Sequence, residues 1–129
     1  MLLLKESAAA VEGRLRCGEA PARGVRVKLW PDEMGTLVDK TLDQAWSDAE
    51  GMFRISGPTL EGSTGSDVPG IFKIYHDCGD GEKVGQRVFQ LRIPEKYINP
   101  GKDVEKVFNL GTLNLEIVPH NEERSDRED

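Results

Sequence analysis

Val11-Glu12-Gly13-Arg14-Leu15-Arg16-Cys17 and, after the break Pro21-Ala22-Arg23-Gly24, Val25-Arg26-Val27-Lys28-Leu29-Trp30 decide the fold class. Both runs alternate. Val11, Leu15 and Cys17 lie opposite Glu12, Arg14 and Arg16, while Val25, Val27 and Leu29 lie opposite Arg26, Lys28 and Trp30. A period of two sends successive side chains to opposite faces of an extended chain, so each run is a half-buried strand with its charges outward. Turn chemistry ends the second run at Pro31-Asp32-Glu33-Met34-Gly35.

The same rhythm continues along the chain. Leu42–Ser47 is a weaker strand, and Asp48-Ala49-Glu50-Gly51 a tight turn with a glycine available for positive φ. Phe53 and Ile55 carry a short strand, and residues 57–70 form a long exposed loop rich in Gly, Pro, Ser and Thr. Ile71–His76 is a fifth strand, His76–Glu82 a loop, and Arg87–Ile93 alternates again. Val104–Phe108 and then Leu113, Leu115 and Ile117 complete the set, with a short helical turn expected at Pro94–Tyr97. Seven or eight short strands spaced by turns, with no helical stripe, predict an all-β antiparallel sandwich. The expected division is an N-terminal extension over residues 1–10, a sandwich over 11–119 and an acidic disordered tail over 120–129.

Composition agrees with one domain. The 129 residues are 37% hydrophobic, enough for a core without metals. The last nine residues hold five acidic and two basic side chains and nothing apolar, which predicts a solvated tail. Without them, fifteen Lys and Arg face eighteen Asp and Glu, so half of the net charge of −6 belongs to the tail. A nearly balanced remainder carries no electrostatic footprint for nucleic acid. There is no transmembrane stretch. The apolar run at Met1–Lys5 is too short for the hydrophobic region of a signal peptide. Cys17 and Cys78 permit a disulfide, but two thiols also occur in many cytosolic proteins.

Catalysis finds little support. His76-Asp77 is the one tempting pair, and adjacent residues of a strand point to opposite faces. Asp77, Asp80 and Glu82 share one Gly-rich loop and Asp32, Glu33 and Asp39 another, so calcium is the candidate metal, although neither spacing matches an EF-hand. Otherwise no cofactor is expected. Lys28, Lys40, Lys73, Lys83 and Arg87 fall on or near loops and strand edges and are the candidates for contact with anionic lipid. Trp30, on the charged face of its strand, is the candidate partner-binding aromatic.

The residues also carry a resemblance. Val11–Gly18 followed by Pro21–Trp30, Ile71–Cys78, Arg92–Ile98 and Leu110–Glu116 resemble, in order, motifs of the nematode transthyretin-like family. That resemblance implies a secreted, disulfide-containing, transthyretin/prealbumin-like sandwich. Two departures bear on the cysteines: Gly85 stands before Gln86-Arg87 where members usually carry a Cys, and Glu122–Asp129 lacks another. If those absent cysteines are each other's partners, Cys17 pairs with Cys78 within the chain, which the resemblance favours. If each has lost its own partner, both thiols can join a second chain.

The resemblance further implies a non-enzymatic role. The enzyme relatives of transthyretin, which hydrolyse 5-hydroxyisourate, use an N-terminal histidine, an arginine and a Tyr-Arg-Gly-Ser ending. This chain has no histidine before His76 and ends in acidic residues. The best-understood role in the family is a secreted bridge that recognises phosphatidylserine on dying cells and links it to an engulfment receptor. The expected function is therefore an extracellular adaptor between a phosphatidylserine-containing surface and a cell-surface receptor. The alternatives are a homo-oligomeric carrier of a small apolar ligand between subunits, or a protein–protein module with no lipid role.

Overall fold

The computed structural model describes residues 7–31, 41–57, 69–81, 83–101, 103–120 and 122–125. In chain order the strands are β1 (Ser7–Cys17), β2 (Ala20–Pro21), β3 (Arg26–Pro31), β4 (Asp43–Trp46), β5 (Met52–Gly57), β6 (Pro69–His76), β7 (Gln86–Arg92), β8 (Asn99–Pro100), β9 (Phe108–Asn114) and β10 (Glu123–Ser125). A 3-10 turn at Glu95–Tyr97 precedes β8. One five-stranded sheet is built on β1, flanked by β5 and β9, with β2 and β8 paired to its two ends. The other runs β10-β7-β6-β3-β4. Pairing is antiparallel except between β1 and β9, which is parallel.

The alternation read from β1 and β3 is what joins the sheets. Val11 and Leu15 from one sheet meet Val27, Leu29, Phe72 and Ile74 from the other, all fully buried. The Phe53 and Phe72 rings stack across the interface at 5.4 Å. Gly51 at φ +81° ends the β4–β5 turn, and its carbonyl accepts the Leu15 N–H at 2.8 Å. Any Cβ there would sit on the Leu15 carbonyl oxygen, so the backbone approach requires glycine.

Three expectations are corrected. Residues 7–10 are not an extension: Ala8, Ala9 and Ala10 are buried in β1, paired with Asn99, Gly57 and Ser56. The two strands expected at Val104–Phe108 and Leu113–Ile117 are one, β9 at Phe108–Asn114, because the buried Asn99 amide captures the backbone before it. Its Oδ1 accepts the Glu105 and Lys106 N–H groups and its Nδ2 donates to the carbonyls of Ala8, Tyr97 and Lys106. Those contacts bind residues 105 and 106 in a loop. Third, residues 123–125 are not a solvated tail but the edge strand β10, in register with Gln86, Arg87 and Val88.

Candidate functional site

The chemistry-bearing residues gather at one end of the sandwich. Cys17, at the end of β1, is bonded to Cys78, in the turn after β6, which settles the bridge as intrachain. Arg87 of β7 stands beside it. Its Nη1 donates to the carbonyls of Cys78 and Leu115, both at 2.8 Å, and its Nη2 to the carbonyl of Ile117 at 2.9 Å. Its Nε and Nη2 also grip the Glu122 carboxylate at 2.8–3.1 Å. The side chains of Arg87 and Glu122 are only 8% and 13% exposed, so this is a desolvated, forked ion pair. A second pair lies outside it. Arg124 of β10 meets Asp80 at 3.0 Å and donates to the Val84 carbonyl. The guanidinium holds the Asp80 carboxyl below the usual aspartate range.

These groups line a charged cleft of about 410 Å³, together with Gly79, Lys83, Glu116 and Val118. Val118, which lines the cleft, is 67% exposed; Ile117 and Val84, whose backbone carbonyls accept from Arg87 and Arg124, are 63% and 85% exposed. Trp46 and Met52 are the other large exposed apolar residues among those described, and they share a separate groove with Glu12 and Arg54.

The sequence candidates divide accordingly. Lys83 and Arg87 meet in the cleft, whereas Lys28 and Lys73 do not reach it. Those two lysines oppose each other across β3 and β6, on the outer face of their sheet, yet are only 5% and 9% exposed. Each ammonium leans away from the other over a diagonal ring, Lys28 over Tyr75 at 5.2 Å and Lys73 over Trp30 at 4.1 Å. Trp30 is therefore half-buried under a lysine, and Trp46 is the exposed indole. Lys40, Asp32, Glu33, Asp39 and Glu82 lie outside the described residues. Of the Asp77, Asp80 and Glu82 trio, Asp80 is committed to Arg124, and no three metal-ligating groups converge among the described residues.

His76 is a structural histidine. Its Nδ1 accepts the Cys78 N–H at 3.1 Å, which requires the neutral ring. Burial pushes its pKa down to about 4, with the Arg87 charge, directly across the β6–β7 pair, adding to the shift.

The transthyretin-like family matches residues 12–94. The chain belongs to the transthyretin-like family. It is 43% identical over 122 residues to Transthyretin-like protein 46 of Caenorhabditis elegans, covering 94% of this chain and 66% of that protein. It is 36% identical to Transthyretin-like protein 33 and 38% to Transthyretin-like protein 5 of the same organism, and spans 79% and 80% of their lengths. Membership supports a binding role for this transthyretin-like chain. No helix among the described residues is long and apolar enough to cross a membrane.

The exposure of Ile117 was missed by sequence reasoning. Ile117 continues the alternation of Leu113 and Leu115 and reads as core. The Pro119 that follows it is the one local hint that the strand ends before the Ile117 side chain can be buried.

Proposed function

We propose that this chain is a secreted, non-enzymatic adaptor that recognises phosphatidylserine on apoptotic cell surfaces with its disulfide end and presents a second surface to a phagocyte receptor. The observation that carries the lipid arm is a cleft that holds Lys83, Arg124 and Glu116 with the exposed Val118 in its lining, and with the exposed Val84 and Ile117 joined to its arginines through their backbone carbonyls. Apolar side chains beside polar groups suit a surface that lowers its apolar part into the acyl boundary while a headgroup enters the cleft. Each CH2 buried contributes roughly 0.8 kcal/mol, and a lysine near an anionic surface about 1 kcal/mol. Three partly inserted aliphatic groups and Lys83 give a reversible hold, so selectivity has to come from the headgroup. A serine headgroup carries both anionic groups and an ammonium, and the cleft lining carries both signs of charge. Trp46 and Met52, away from the cleft, supply the residue types that anchor protein partners. The disulfide fits an oxidising, extracellular compartment.

Flotation with phosphatidylcholine vesicles, with and without phosphatidylserine and with calcium or a chelator, tests the lipid arm. Binding is expected to be much stronger with phosphatidylserine and to weaken in the triple variant Val84→Ser, Ile117→Ser, Val118→Ser. Equal flotation on both vesicle types, or undiminished flotation of the variant, overturns the proposal. Trp46→Ala is expected to keep vesicle binding and to lose tethering of phagocytes to phosphatidylserine-coated beads.

A further inference from the structure

We propose that Arg87 is the anion-recognising group of the cleft and that Glu122 is an internal ligand, standing where a phosphate or carboxylate of a bound molecule would stand. The fork has anchors besides Glu122. Three backbone carbonyls, of Cys78, Leu115 and Ile117, hold the guanidinium in place. They orient it but leave its charge to be neutralised. One carboxylate does that, through Nε and Nη2, in the forked geometry with which an arginine takes a carboxylate or a phosphate.

The carboxylate is carried by a weakly held element. Glu122 precedes a three-residue strand at the edge of its sheet, and among the described residues only Gln86, Arg87 and Val88 pair with that strand. Beyond the ladder, the segment is tied by Arg124 to Asp80 and to the Val84 carbonyl. Arg87 keeps three carbonyl anchors without Glu122, whereas Glu122 has beside Arg87 only its N–H to the Pro119 carbonyl and the short ladder that follows it, so the carboxylate is the partner that can leave. The cleft of about 410 Å³ has room for the incoming group, and Lys83 lines it as a second cation. Glu116 lines it too, which disfavours a ligand of purely negative charge and favours one that also carries an ammonium.

The inference rests on the proposed membrane reading only for the natural source of the anion, a lipid headgroup or a soluble phosphate. The Arg87 Nε–Hε resonance of the full chain reports on the site directly. It is followed in the native protein and in Glu122→Gln during titration with inorganic phosphate and O-phosphoserine, and separately with vesicles with and without phosphatidylserine. In Glu122→Gln the resonance is expected to shift saturably with phosphate, with affinity at least about tenfold above native. Phosphate is also expected to raise the melting temperature of that variant more than that of the native chain. Equal responses in the two proteins, or a silent Arg87 resonance in a folded Glu122→Gln, overturn the inference.

Should Glu122→Gln fail to fold, Glu122→Asp replaces it, since it keeps the charge and shortens the reach. A gain of a few-fold is then expected, and native affinity overturns the inference. Phosphate binding at Arg87 without vesicle selectivity removes the membrane reading and leaves the site. Selective vesicle binding with an Arg87 resonance indifferent to every anion does the reverse.

Discussion

Reducing the Cys17–Cys78 bond tests how this small sandwich holds its end together. The two cysteines are 61 residues apart in sequence, and their Cα atoms stand 5.7 Å apart in the folded chain. On the chain-entropy account, a bridge closing a loop of that size stabilises by about 4 kcal/mol, because it removes conformations from the unfolded ensemble. A domain of this length has in total about 5–15 kcal/mol, so reduction takes away a large share. Urea titration should be run on the oxidised protein, on the reduced protein and on the double variant Cys17→Ala, Cys78→Ala. Reduction leaves both sulfurs in place and should cost about 3–4 kcal/mol. The alanine variant should cost about 1 kcal/mol more, since the Cys78 sulfur is buried against the core. Both should show a steeper dependence on urea, because the unbridged unfolded chain exposes more surface. A loss below about 1 kcal/mol with an unchanged slope refutes the entropic reasoning.

Two further perturbations have signs set by the geometry. The folded pKa of His76 is lowered from 6.5 to about 4, so below pH 6.5 the unfolded chain takes up this proton first. Its contribution is fully present above pH 6.5 and falls as pH drops toward 4, by at most about 3 kcal/mol. His76→Gln should flatten that part of the stability–pH curve, and an unchanged slope between pH 6.5 and 4 counts against the assignment. Gly51→Ala combines φ +81° with a Cβ placed on the Leu15 carbonyl, whereas Gly79→Ala has φ +76° and open space around it. The second should cost about 1 kcal/mol for the left-handed backbone alone, and the first clearly more. Equal losses in chemical denaturation would mean that the approach to Leu15 relaxes freely.

Strands that bury one face were legible because the hydrophobic period is local: Val27 and Leu29, or Phe72 and Ile74, declare their side within a few residues. What stayed hidden depends on partners far away in sequence. The segment at Glu122–Ser125 holds no apolar residue, so the criterion for ordering by burial reads it as solvated. It is ordered instead by a backbone ladder to β7 and by Arg87 and Asp80, the former 35 residues from Glu122. The placement of Lys28 and Lys73 was hidden for a different reason. Alternation correctly puts Lys28 and Lys73 on the outer face, but outer is not exposed when two opposed cations reach for diagonal rings. Lys28-x-Trp30 and Lys73-x-Tyr75, each a lysine two residues before an aromatic on the same face, were the available hint.

The charged groups of the cleft and the exposed apolar groups joined to it differ in what they must give up before meeting a surface. Arg87 must release Glu122, and Arg124 must release Asp80, so each new contact replaces an existing one and its net gain is small. Val84, Ile117 and Val118 are mostly exposed, and burying them costs no internal contact of comparable strength. On the proposed function, the apolar groups therefore set how tightly the protein is held and the cleft sets which headgroup is accepted. The triple serine variant should then weaken association with phosphatidylserine and phosphatidylcholine vesicles by a similar factor. Lys83→Gln and Glu116→Gln, at residues with no ion pair among the described residues, should instead change the ratio between the two. A triple variant that changed the ratio while leaving the weaker binding untouched would show that the apolar groups read the headgroup, and this division of labour would fail.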